Sequence, residues 1–201
     1  MSVLNILFVG SDEVARSIAK KSDSRDVDNY IYKDLKEEGL FSTISILRPN
    51  NYPDKPKPFF TSLTVSDFGI IEVNKVDGVF GEVDVSMASA GIKEGLVILN
   101  ASEGEWVDYS QVKALLQQAG LSNWKLIEND GILIREKLIE VLNQIKSNDD
   151  DGFVVAVDQA FTVKGVGLVA IGHVQSGKIN KHDELILAGS EGNAIARSKQ
   201  V

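Results

Sequence analysis

Short apolar runs and amphipathic helix patterns alternate in the first part of the chain. Leu96–Asn100 (LVILN) is a short apolar run of the kind buried inside a parallel sheet. Helices are predicted over Tyr109–Ala119, with Gly120 as the stop, and over Ile132–Ile145, with a strand at Trp124–Ile127 between them. This alternation predicts an α/β domain with a layered sheet.

The N-terminal third is predicted to contain further elements. The apolar stretch Leu4–Val9 runs directly into a helical pattern, and Asp28–Glu38 also has helical character. Phe41–Leu47 and Phe59–Val65 are predicted to be strands. All 4 prolines of the chain fall within Pro49–Pro58, which is therefore predicted to be a surface loop.

A second domain is predicted after an acidic stretch. Small polar residues and three adjacent carboxylates occupy Ser147–Gly152 and cannot contribute to a core. Only strand signals follow. The sequence thus predicts an α/β domain over residues 1–147, an acidic linker over 148–152 and an all-β domain over 153–201.

Composition and charge narrow the possible functions. The chain is 43% apolar, enough for a real core, and its lack of cysteine excludes disulfides and thiolate metal sites. No secretory or membrane-spanning pattern is present, so a cytoplasmic location is expected. The net charge of −8 argues against coating of nucleic acid by charge alone. Residues 153–201 hold five Lys/Arg and four Asp/Glu, so RNA contact is expected there.

A glycine-rich β pattern carries a family resemblance. In DQAFTVKGVGLVAIGHVQSGKINKHDELIL (Asp158–Leu187), the elements F-x-x-x-G-x-G, G-x-V, a turn glycine and D-x-L follow one another. Glycines within strands permit the bends that a small barrel requires. The segment resembles the second, β-barrel domain of translational GTPases, the group of elongation factor Tu and the selenocysteine-specific elongation factor. The resemblance implies a GTPase-like sheet domain followed by a barrel that is incomplete in this chain.

The family's phosphate loop, G-x-x-x-x-G-K-[ST], is altered in this chain. Its glycines bring backbone N–H groups to the phosphates, and its hydroxyl holds Mg²⁺. Gly10 is followed by Ala15, Arg16 and Ser17, so the second glycine and the lysine are replaced, while Ser17 could still bind Mg²⁺. The alternative is that Gly10 forms a tight strand-to-helix turn, with Arg16 and Ser17 on a solvated helix face.

The remaining family motifs are also degenerate. The motif D-x-x-G-H is expected at Lys75–Val79, where Gly78 is retained and the histidine is lost; lysine replaces the aspartate, or a shift of one or two residues uses Asp77 instead. At Asn129–Ile132, where the base-reading N-K-x-D is expected, the asparagine remains but isoleucine replaces the aspartate. Asn100–Gly120 resembles the family's D-A-x-E-G segment with its following helix, through Ala101, Glu103 and Gly104. No catalytic residue and no metal site are predicted.

These features lead to three functional hypotheses. The first is a translation-factor-like binding protein that has lost GTP hydrolysis, with the ribosome, tRNA or another translation factor as partner and no DNA or membrane partner. The second is a GTP-binding switch in which Gly10, Arg16, Ser17 and Asn129 bind GTP and Mg²⁺ weakly. The third is a structural interaction module unrelated to translation. RNA or ribosome contact is predicted through three lysines of the second domain, Lys164, Lys178 and Lys181.

Overall fold

A computed structural model describes residues 2–35, 41–100, 106–144, 152–190 and 192–199 of the chain. The chain divides into two compact units, Met1–Ile145 and Lys146–Val201. No helix within the described ranges is long and apolar enough to cross a membrane.

The described part of the first unit contains seven strands and five helices. They are β1 (Ser2–Val9), α1 (Asp12–Ile18), β2 (Lys20–Ser24), β3 (Val27–Leu35), β4 (Phe41–Pro49), α2 (Pro56–Leu63), β5 (Phe68–Val73), α3 (Gly78–Ser89), β6 (Gly95–Leu99), α4 (Tyr109–Ala119), β7 (Lys125–Ile127) and α5 (Gly131–Gln144). The strands form one sheet in the order β2-β3-β4-β1-β5-β6-β7.

The sheet is parallel at its centre and antiparallel at one side. β1 runs parallel to both β4 and β5, and β5, β6 and β7 continue the parallel arrangement. β3 is antiparallel to both β2 and β4. The carboxyl ends of β1, β4, β5 and β6 consequently lie at the same edge of the sheet.

Both faces of the sheet are buried. Alternate side chains of β1 point to opposite faces, so Ile6 and Phe8 enter one apolar cluster and Leu7 enters the other. The first cluster includes Ile134 and Leu138 of α5, which are four residues apart on one helix face. The second cluster includes residues of α2, α3 and α4. This sandwich of helices around a largely parallel sheet confirms the predicted α/β class.

The predicted helix over Asp28–Glu38 is wrong for the residues that the structure describes. Val27–Leu35 is a strand that pairs with β4 along its whole length. Asp28 and Tyr30 alternate with less buried neighbours, which is the period of a strand and not of a helix. The pairing with β2 and β4 therefore outweighs the local helical pattern.

The predictions of a strand over Phe59–Val65 and of a loop across all the prolines are also wrong. Helix α2 begins at Pro56, a position where the missing N–H of proline costs no hydrogen bond. Phe59 and Leu63, four residues apart, form the buried side of this helix. At the other end of the proline-rich segment, Pro49 closes β4 opposite Val27.

The remaining predicted elements of this unit are present. Helix α4 ends at Gly120, which has a φ of 91° and so occupies the left-handed region that favours glycine. The short run predicted to be a buried parallel strand is β6, with β5 and β7 as its parallel neighbours.

The second unit is all-β in its described part, as predicted. β8 (Val154–Val163) and β9 (Gly167–Ser176) form one antiparallel pair, and β10 (Glu184–Gly189) and β11 (Gly192–Arg197) form another. The linker and boundaries proposed from the sequence remain predictions, since residues 145–151 lie outside the described ranges.

Candidate functional site

Polar residues meet where the central parallel strands end. Gly10 and Ser11 follow β1, Arg48 lies near the end of β4, Glu72 lies near the end of β5, and Asn100 follows β6. Ligands of open α/β sheets bind at this edge, outside the carboxyl ends of the strands. We call these five residues the carboxyl-edge site.

The buried carboxylate of Glu72 occupies the junction between β1 and α1. One carboxylate oxygen accepts a hydrogen bond from the Ser11 backbone N–H at 2.5 Å, and the other accepts one from the Asn100 side-chain amide at 2.6 Å. Glu72 is only 7% exposed. A backbone N–H at the strand-to-helix turn is therefore bonded to a carboxylate of the chain itself.

Side chains of Phe8, Arg48 and Glu72 pack closely around Gly10. A Cβ atom at this position would lie 2.6 Å from a Glu72 carboxylate oxygen and 2.7 Å from the Phe8 ring. The Arg48 Nε donates to the Gly10 carbonyl at 2.7 Å. Gly10 is thus required by the close approach of protein groups.

A network of charged groups ties α1 to β2, β3 and β4. The Asp28 carboxylate, with its side chain 4% exposed, accepts from Lys21 at 2.8 Å and from Arg48 at 3.2 Å. Lys21 also reaches Asp12 at 3.0 Å, and the Tyr30 hydroxyl donates to Asp12. We call Asp12, Lys21, Asp28, Tyr30 and Arg48 the ion cluster.

The contacts of the ion cluster shift the pKa values of its members. The Tyr30 hydroxyl, followed by Arg16 and Lys21, holds the pKa of Asp12 well below its usual range. Burial acts to raise the pKa of Asp28, but hydrogen bonds from Lys21 and Ser24 outweigh it and lower this pKa to about 2. Both carboxylates are therefore ionised in the folded protein at neutral pH and are neutralised internally.

The proposed nucleotide ligands Arg16 and Ser17 lie within α1, not in a loop. The helix begins only two residues after Gly10, and Ala15 is fully buried in the core. The Arg16 side chain is 54% exposed and pairs with Asp12 one turn earlier. The Ser17 hydroxyl donates to the Val14 carbonyl at 2.7 Å. This arrangement resembles the alternative to a phosphate loop, in which Gly10 forms a tight strand-to-helix turn and Arg16 and Ser17 lie on the helix surface.

Asn129 lies in the exposed segment that follows β7. Gly131, two residues later, packs directly against the backbone and side chain of Ser17. The fold thus brings Ser17 close to the segment that contains Asn129, whereas Gly10 lies beyond the other end of α1.

The segment expected to hold D-x-x-G-H forms a helix start. Asp77 is the N-cap of α3, since its carboxylate accepts from the Phe80 N–H at 3.1 Å, and it pairs with Lys75 at 3.0 Å. The Phe80 N–H, and then Lys75, lower the pKa of Asp77. Asp77 therefore caps a helix in this structure. Of the D-A-x-E-G resemblance, Ala101, Glu103 and Gly104 lie outside the described residues.

The three lysines of the second unit do not form one patch. Lys164 lies in the turn between β8 and β9, and Lys178 lies just beyond the end of β9. Since Val163 pairs with Gly167 and Val154 with Ser176, these lysines are at opposite ends of the pair, roughly 30 Å apart for ten-residue strands. Lys181 is exposed in the turn before β10.

The sequence analysis missed Glu72 and Arg48. Glu72 is the one charged residue of the otherwise apolar β5 (FGIIEV), and Arg48 is the one charged residue of β4 (FSTISILRP). A charge in such a position must find a partner within the protein. That pattern could have identified both residues, although not their partners.

Comparisons with known proteins link the chain to translation factors. No family model matches it. An uncharacterised protein of Methanocaldococcus jannaschii is 30% identical over 196 residues, which cover 97% of this chain and 60% of that protein. The selenocysteine-specific elongation factor of Escherichia coli is 38% identical over 85 residues, covering 39% of this chain and 14% of that protein.

The fold points to the same group. The crystal structure of a bacterial selenocysteine-specific elongation factor superimposes with a TM-score of 0.64 at 18% identity, covering 96% of this chain and 38% of the other. This chain thus spans less than two thirds of the length of each of these three proteins. The predicted resemblance to the translational GTPases is confirmed, and the chain has the fold of that family's selenocysteine-specific elongation factors.

Proposed function

We propose that the chain is a translation-factor-like protein whose nucleotide site is closed, so that it acts by binding and does not hydrolyse GTP. The observation that carries this proposal is the hydrogen bond from the Ser11 N–H to the Glu72 carboxylate. A buried carboxylate takes the role that a bound phosphate has in a phosphate loop.

A nucleotide would have to displace several internal contacts. Its phosphates would meet Glu72, a like charge that is buried and held by Asn100. They would also have to separate Arg16 from Asp12 and open the first turn of α1. Leaving the buried Glu72 carboxylate without its hydrogen-bond partners costs about 1–3 kcal/mol or more. These costs favour the closed site.

The GTP-binding switch remains the second candidate. It requires Arg16 and Ser17 to reach a nucleotide from within α1, with Asn129 contacting the base. The burial of Ala15 beside them favours the closed site over the switch. Similarity to elongation factors supports a role in translation over an unrelated interaction module.

We infer that the partner is the ribosome, tRNA or another translation factor, in the cytoplasm. The exposed lysines Lys164, Lys178 and Lys181 supply positive charge for such contacts in the second unit. Because Lys164 and Lys178 are far apart, they contact separate sites on a partner.

Calorimetric titration with GTP, GDP and ATP in the presence of Mg²⁺ tests the closed site. The unaltered chain is expected to give no saturable binding and no phosphate release. The variant Glu72→Ala frees the Ser11 N–H and should gain weak affinity for triphosphates, without preference for guanine, while the exposed Glu94→Ala serves as control. Micromolar binding of GTP by the unaltered chain, with weaker binding of ATP, would contradict the proposal.

A further inference from the structure

We propose that a basic groove on the first unit binds the phosphate backbone of an RNA strand. The choice of RNA over other polyanions rests on the proposed function in translation. Five basic side chains and one aromatic ring line the groove, which encloses about 460 Å³; they are Arg16, Lys20, Lys21, Lys33, Arg135 and Tyr32.

The groove follows from the way that α1 joins β2. Only Ala19 separates the end of the helix from the first residue of the strand. β2 begins opposite Ile31 of β3, so the rest of β3, from Tyr32 to Leu35, extends past it. The uncovered part of β3, the end of α1 and the first turns of α5 leave a concave surface between them.

The charge of the groove is not balanced internally. Arg16 and Lys21 pair with the ion cluster. Lys20 and Lys33 are exposed, and no carboxylate in the described part of the chain pairs with either. Lys20 lies opposite Ile31 in the strand pairing, and Lys33 is two residues further along β3, so both lysines lie on one face of the hairpin. Lys21 and Tyr32 lie on the other face, and the groove runs between the two sets along the uncovered edge of β3.

None of the described residues that line the groove is acidic. This is unusual for a chain with a net charge of −8. A concave surface of one sign concentrates ligands of the opposite sign, and phosphate is the natural partner of clustered Lys and Arg.

Arg135 is held rigidly at the wall of the groove. Its Nε donates to the Ile18 carbonyl at 2.7 Å and its Nη2 donates to the Ser17 carbonyl at 2.9 Å. The guanidinium also lies over the Tyr32 ring, 4.9 Å from the centroid. A fixed guanidinium loses little conformational freedom when it binds a phosphate through its remaining N–H groups.

Clustered basic side chains are typical of grooves that follow the backbone of single-stranded nucleic acid. The groove is lined by α1, β2, β3 and α5 and contains neither Gly10 nor Glu72. It is therefore separate from the carboxyl-edge site, and its ligand does not require that site to open.

Fluorescence anisotropy with a labelled, unstructured RNA of about 20 nucleotides tests the groove, using the full chain. The double variant Lys20→Gln/Lys33→Gln is compared with Lys57→Gln/Lys93→Gln, which changes the net charge equally at exposed positions away from the groove. We expect the groove variant to bind at least about tenfold more weakly at low salt. Loss of two contacts to single-stranded phosphates should also reduce the slope of log K against log[salt] by about 1.4.

Three outcomes would overturn the proposal. They are the absence of RNA binding by the unaltered chain, equal losses in the groove and control variants, and tighter binding of a DNA strand of the same sequence. Thermal unfolding followed by circular dichroism verifies that both variants are folded. GTP binding in the titration above would refute the closed nucleotide site and leave the RNA result standing, so the two proposals fail independently.

Discussion

Asp84 makes the stability of the first unit depend on pH near neutrality. This residue of α3 is 1% exposed, and neither of its carboxyl oxygens has a hydrogen-bond partner among the described residues. Burial raises its pKa from 3.8 to about 7. The folded protein thus binds a proton at Asp84 at pH values where the unfolded chain has already released it.

The sign and size of the effect follow from this difference. No stability is lost at Asp84 below about pH 4, where both states are protonated. Stability then falls as pH rises to about 7 and is constant above that value. At 1.36 kcal/mol per pKa unit, the full effect is about 4 kcal/mol, and the part between pH 5 and pH 8.5 is about 3 kcal/mol.

The variant Asp84→Asn removes the ionisation and keeps the shape of the side chain. Urea unfolding at pH 5 and pH 8.5 should show that the stability of the variant, relative to the unaltered chain, improves by up to about 3 kcal/mol at the higher pH. Because each protein is compared with itself at the two pH values, the constant free-energy cost of burying the Asn side-chain amide in the variant cancels. The exposed Asp54→Asn is the control and should show no such change. If Asp84→Asn and the unaltered chain changed in parallel with pH, the inferred protonation of Asp84 would be refuted.

Three further predictions concern the contacts described above. Gly10→Ala should lower the free energy of unfolding by about 1–3 kcal/mol in urea unfolding, because the new Cβ meets Glu72. The same change should cost less in a Glu72→Ala background. If the losses of the two single variants simply added in the double variant, this explanation would be contradicted. Because the pKa of Asp28 is lowered, its carboxylate stabilises the fold above about pH 4, and this stabilisation is lost as pH falls towards 2. Over this pH range Asp28→Asn should therefore lose about 2 kcal/mol less stability than the unaltered chain. Identical acid-unfolding profiles of the two proteins would refute this. Lys164→Glu and Lys178→Glu should weaken co-sedimentation with ribosomes independently, with effects that add in the double variant, whereas no change in either would exclude the second unit as the RNA-facing surface.

The sequence predicted elements well where the signal is local. Helix α4 has its apolar spacing, its cap and its terminal glycine within one short segment, so no other part of the chain is needed to identify it. β3 is different, because its strand conformation depends on pairing with both β2 and β4. Helix α2 is not indicated by its prolines, because proline generally interrupts regular structure but is tolerated at the start of a helix, where Pro56 lies.

The contacts of the carboxyl-edge site could not be predicted from local sequence, because they depend on residues that are distant in the chain. Gly10 and Glu72 are distant in sequence, and they meet only because β5 pairs with β1. Arg48 reaches Gly10 because β4 pairs with β1 on its other side. No local motif specifies either pairing, so residue spacing alone could indicate an altered loop but could not indicate which groups contact Gly10 and Ser11.

At the position of the family's phosphate-loop lysine, this chain has Arg16, and this difference agrees with the contacts at the strand ends. Without the lysine, a bound phosphate would lose a charge partner, whereas the Glu72 carboxylate already accepts hydrogen bonds from the Ser11 N–H and the Asn100 amide. Arg48, which could otherwise attract an anion to this edge, is neutralised by Asp28 and bonded to Gly10. Each charged group of the carboxyl-edge site therefore has a partner within the protein.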